Sequence, residues 1–131
     1  MFVALIALQV LASFATVARG TGSGIDEPRQ VVIRSAAEWQ TLWKAHDPDR
    51  AAPVVDFARS VVVGVFLGSR PTAGFSVEIT AVKKEGERSV VEYLERRPPP
   101  GSLTAQILTS PYHLVTVPGD IGTVEFKRLQ P

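Results

Sequence analysis

Residues 60–67 read SVVVGVFL, eight consecutive positions without a charge, four of them valine. A run this short, this apolar and this rich in β-branched side chains fits a strand buried on both faces, since helices need more length. Such a strand lies inside a sheet and needs cover above and below. The remaining chain must therefore supply flanking strands and at least one packed layer.

The flanking pattern supplies both. Phe75, Val77, Ile79 and Ala81 alternate with Ser76, Glu78 and Thr80, the signature of a strand with one wet face. Residues 84–87, KEGE, form a hairpin turn, and SVVEYLER at 89–96 is the returning strand, antiparallel because the connection is so short. Further strands are expected at 30–34, near 103–108, at 112–117 and at 122–128. Ser35 and Glu38 form a capping box that starts a helix, Trp39, Leu42 and Trp43 give it one apolar stripe, and Pro48 ends it. The two indoles are expected to pack that helix onto the sheet. The GTGSG stretch at 20–24 reads as a flexible turn, because its glycines lack dinucleotide-loop spacing and a strand follows. The expected fold is α+β: a mainly antiparallel β-sheet with one Trp-bearing α-helix packed on it.

At 131 residues the chain is one domain's worth. The first eighteen residues, MFVALIALQVLASFATVA, are almost wholly apolar and uncharged, like the core of a secretory signal. Small-residue cleavage sites are available at 13–15 or 16–18. The usual basic segment is missing, so either translation starts upstream of Met1 or the leader is atypical. We read 1–12 as a signal peptide and 13–131 as a single domain, exported to the periplasm or beyond, with no stable membrane insertion after cleavage. Residues 14–18 alternate well enough to be the domain's first strand or the leader's tail.

Net charge is +1, from fourteen Lys and Arg against thirteen Asp and Glu, and the charges are scattered. Nucleic-acid binding needs a clustered basic face, so that class is set aside. With no cysteine there is no disulfide, thiolate nucleophile or cysteine zinc site. The two histidines, His46 and His113, lack metal-ligand spacing, and no G-x-S-x-G, Walker or S-x-x-K motif occurs. The reading is therefore noncatalytic, without cofactor or metal; a dispersed Ser–His hydrolase is the alternative from another class.

That leaves GSRPTAGF at 68–75. Gly68, Pro71 and Gly74 are what any tight turn requires. Arg70 and Thr72 are not, and a stiff loop bearing them is also suited to docking on another protein. Ser110-Pro111-Tyr112 is a second loop of the same kind, with Tyr as an anchor. Turn and binding loop are both open readings; the residues taken as partner-binding are Arg70, Pro71, Thr72, Gly74, Phe75, Ser110, Pro111 and Tyr112.

VVVGVFLGSRPTAGFSVEI, RPPPGSLTAQILTSPYHLVTVP and the final GTVEF together resemble the PrcB C-terminal domain family, over roughly residues 14–131. Family members typically carry P-T-G-G-Y where this chain has Pro71-Thr72-Ala73-Gly74-Phe75, so one glycine and a phenolic hydroxyl are replaced. The resemblance implies an exported accessory protein that stabilises or assists a partner protease. RPTAGF is also similar to the N-P-T-T-G-Y/F loop of chagasin-type inhibitors, with Arg70 in place of Asn. That likeness implies a loop inserted across a cysteine protease, with the opposite sign of effect.

Overall fold

Alternate side chains of the valine run go to two different interiors. Val61, Val63, Val65 and Leu67 pack between two sheets, while Val62 and Phe66 cluster with Trp39, Leu42 and Trp43 of the helix. In the computed structural model, which describes residues 8–131, the elements are β1 (Gln9–Ala12), β2 (Ala15–Gly20), β3 (Arg29–Ile33), α1 (Ala36–His46), β4 (Ser60–Phe66), β5 (Ser76–Glu85), β6 (Arg88–Arg96), β7 (Tyr112–Pro118) and β8 (Thr123–Leu129). Residues 1–7 of the proposed leader lie outside the described residues, and its last four form β1.

The α+β expectation holds, with the strands divided over two four-stranded sheets. One has the order β1-β5-β6-β8 and the other β2-β7-β4-β3. Every pairing is antiparallel except β6 with β8, which is parallel because the chain crosses from one sheet to the other after β7. The interior position of β4 is as expected. Gly64 makes its tight layer possible: a Cβ there would stand 2.3 Å from Leu114 Cδ2.

The capping box forms with one change. Ser35 Oγ accepts the Glu38 N–H at 3.2 Å, but the Glu38 carboxylate takes the Ser35 hydroxyl and the Arg34 N–H instead of the Ser35 N–H. The indoles bury against the sheet and also fasten the following loop: Trp39 Nε1 donates to Pro53 O and Trp43 Nε1 to Arg50 O. Two expectations are corrected. Residues 20–24 are not a flexible turn, since Ser23 is buried and the Gly24 N–H donates to His46 O at 2.7 Å. Residues 103–108 are not a strand.

One corner of the sandwich is closed by side chains. β1 covers the free edge of β5 only from Val82 to Glu85. Beyond it, the Ile79 N–H donates to His113 Nδ1 at 2.9 Å, and Arg19 Nε donates to Val77 O at 3.0 Å. The other ring nitrogen of His113 lies 2.9 Å from Thr16 Oγ1. Accepting at Nδ1 requires the neutral imidazole. Burial, with the nearby Arg19 charge, lowers its pKa to about 4 against a smaller opposing pull from Glu78.

Candidate functional site

The residues on the inward face of β6 are Ser89, Val91, Tyr93 and Glu95, by the period of two that all strands share. A carboxylate thus stands at the end of the sandwich interior with no exposed side-chain surface. Arg70 answers it. Its Nε and Nη2 reach the two Glu95 oxygens at 3.1 and 3.0 Å, and its Nη1 donates to the Leu67 and Ser69 carbonyls. Arg128 and Arg97 approach the same carboxylate at 3.0 and 3.7 Å. Burial pushes the Glu95 pKa up, but the Arg70 hydrogen bonds and the three guanidinium charges outweigh it and hold it below the usual range. Arg70 is therefore not a side chain displayed to solvent, as its loop position suggested; it is the internal counter-charge of Glu95. The Phe75 ring lies beside it, 6.0 Å from the guanidinium carbon.

The backbone of the loop is braced as firmly. Arg70 and Thr109 exchange both N–H···O bonds, at 2.7 and 3.0 Å, Ala73 N–H donates to Ala105 O, and Thr109 Oγ1 donates to Thr72 O. Gly74 has φ +95°, and a Cβ there would meet Pro98 at 2.8 Å. Position 74 thus needs glycine for its conformation and for space. Pro71 and Gly74 are exposed at the tip, with Thr72 and Phe75 partly so.

The 70–109 pairing brings both sequence-predicted loops together, but with different surfaces. Ser110 and Pro111 are buried, which corrects their reading as a displayed loop. Tyr112 is half-buried, its ring 4.2 Å from that of His46 and stacked near Phe66. Ser23 Oγ, 2.8 Å from His46 Nδ1, also takes the Ile25 N–H, and both side chains are buried. Burial lowers the His46 pKa despite the opposing Asp47 charge. Both histidines are thus tied to buried hydroxyl or amide partners in the interior.

Next to the loop runs a surface that the strand reading of 103–108 concealed. Leu103, Ile107 and Leu108 are 102, 58 and 79% exposed, three large apolar side chains in one irregular strap. The strap is held to the loop by Ala105 and Thr109 and preceded by Pro98, Pro99 and Pro100. The signal available in the sequence was the flanking prolines, which argue against a strand inside a sheet.

Among the described residues no group of three or more His, Asp or Glu side chains is placed to hold a metal ion, and no helix is long and apolar enough to cross a membrane. These features define a two-sheet sandwich with one helix on its outer face and a strapped loop at one end. Residues 61–118 match the family described as PrcB C-terminal. The match runs from β4 to β7 and so contains the loop, Glu95 and the strap. No curated protein and no solved structure matches the chain.

Proposed function

We propose that the protein is a noncatalytic accessory domain that binds a partner protein through the strap 103–108 and the exposed tip of the loop, Pro71 to Gly74. One observation carries this reading: three large apolar side chains stand in solvent on a segment that hydrogen bonds hold in place. A presented apolar surface with its backbone already ordered costs little entropy on association. The resemblance to the PrcB C-terminal family suggests a protease as the partner. An inserted inhibitory loop needs a tip that projects freely, whereas this one is tied along its length to the strap, which favours the accessory reading over the chagasin-like one. The buried setting of Ser23 and His46 argues in the same direction against a Ser–His hydrolase.

The sign of the effect is the test. Purified domain is added to proteases from the cell envelope and secreted fractions of its source, and activity and lifetime are followed. An accessory subunit raises one or both; suppression of a cysteine protease supports the inhibitor instead, and no effect with no binding overturns both. The apolar leader leads us to propose export as well, tested by N-terminal sequencing of the protein recovered from those fractions.

A further inference from the structure

Between β3 of one sheet and β6 and β8 of the other, the sandwich opens into a cleft of about 440 Å³. Its charged walls are Arg29, Arg70 and Arg128 against the single carboxylate of Glu95, three positive charges to one negative, a net +2. The arginines are not equivalent. Arg70 spends its donors on Glu95 and two carbonyls. Arg128 only approaches Glu95 Oε1, at 3.0 Å, with its side chain 44% exposed, so most of its fork is left for another acceptor. On the opposite wall Arg29 pairs with the exposed Glu27. Tyr93 adds a nearly buried donor: its hydroxyl accepts from Gln30 Nε2 at 3.2 Å and keeps its own proton to give.

We propose that this cleft is a receptor for a carboxylate group, held by Arg128 and Arg29 with the Tyr93 hydroxyl donating. Arg70 and Glu95 position the site, Glu95 by drawing Arg128 to the cleft wall. A carboxylate matches the planar guanidinium fork and adds one negative charge, within the net +2 available. A phosphate dianion would set two charges beside Glu95. The carboxylate could come from a small organic acid or from the C-terminus of a polypeptide. This site is separate from the strap surface, and its failure would leave the accessory reading standing.

The test is an NMR titration of the Arg side-chain Nε–H and Gln30 amide signals with four probes: acetate, a short apolar peptide with a free C-terminus, the same peptide amidated, and inorganic phosphate. We expect saturable shifts with the free-acid peptide, none with the amide, and loss of affinity by about tenfold or more in Arg128→Gln. Acetate as effective as the peptide identifies a small acid as the source; a peptide bound much more tightly identifies a chain end. Arg29→Gln, on the opposite wall and outside the Glu95 cluster, provides a second variant with the same expected loss. Equal binding of the amide, only non-saturating shifts with every probe, or full affinity in both variants overturns the proposal.

Discussion

Two apolar stretches of this chain, 60–67 and 103–108, look alike as strands, and the fold treats them oppositely. The first has neighbours on both edges and layers on both faces, so its side chains vanish into two cores. The second lies between a triple proline and Pro111, makes a backbone bond to Ala73 and passes into the Arg70–Thr109 bridge, and leaves Leu103, Ile107 and Leu108 in water. Apolar pattern therefore marks surface that seeks cover, and the cover is set by which backbone groups find partners. Where the chain itself provides none, the surface is available to another molecule.

The largest effect is expected of Phe66→Ala, which opens a cavity under the helix. Equilibrium denaturation should show a loss of about 3–5 kcal/mol. A loss below ~1 kcal/mol would mean that this face of β4 is not core. Next in size is the corner closed by His113. Its folded pKa of about 4 lies below the ordinary 6.5, so the unfolded chain binds more protons between those values and stability falls as pH drops from 6.5 toward 4. The loss attributable to His113 is on the order of 3 kcal/mol. His46 shifts in the same direction, so the comparison of wild type with His113→Gln is what isolates the corner, and the variant should show a flatter stability profile over that range.

Arg70→Ala removes the bidentate partner of a buried carboxylate but leaves Arg128 and Arg97 nearby. We expect a loss of about 2 kcal/mol, below the ~3–5 of a pair broken in full burial. Hydrogen exchange of the Ala73 amide should quicken, because the guanidinium that anchors the loop is gone. The smallest effect belongs to the strap. Leu103→Asp with Ile107→Asp should change unfolding free energy by no more than about 0.5 kcal/mol, as for surface substitutions away from structural features.

Much of this was legible in the sequence, for reasons specific to each element. The β4 run and the helix stripe were readable because burial on both faces and capping chemistry leave local marks. The division into two sheets was not, because alternation gives a strand's faces without its neighbours. Arg70 was misread because its counter-charge lies twenty-five positions away on the inward face of β6, and a glutamate within SVVEYLER has the same appearance whether it faces water or arginine. Ser110 and Pro111 were misread because turn residues resemble one another whether the turn is displayed or packed. The strap was hidden by an alternation that would have suited a strand equally well.

We propose that the strap lies outside the fold's stability and inside its binding surface. Equal amounts of folded wild type and of the Leu103→Asp, Ile107→Asp variant, each confirmed by its melting temperature, are used to capture proteins from the envelope and secreted fractions. We expect a protease recovered near stoichiometry by the wild type and lost by the variant at unchanged melting temperature. Equal recovery by both, or a variant that no longer folds, would contradict the proposal.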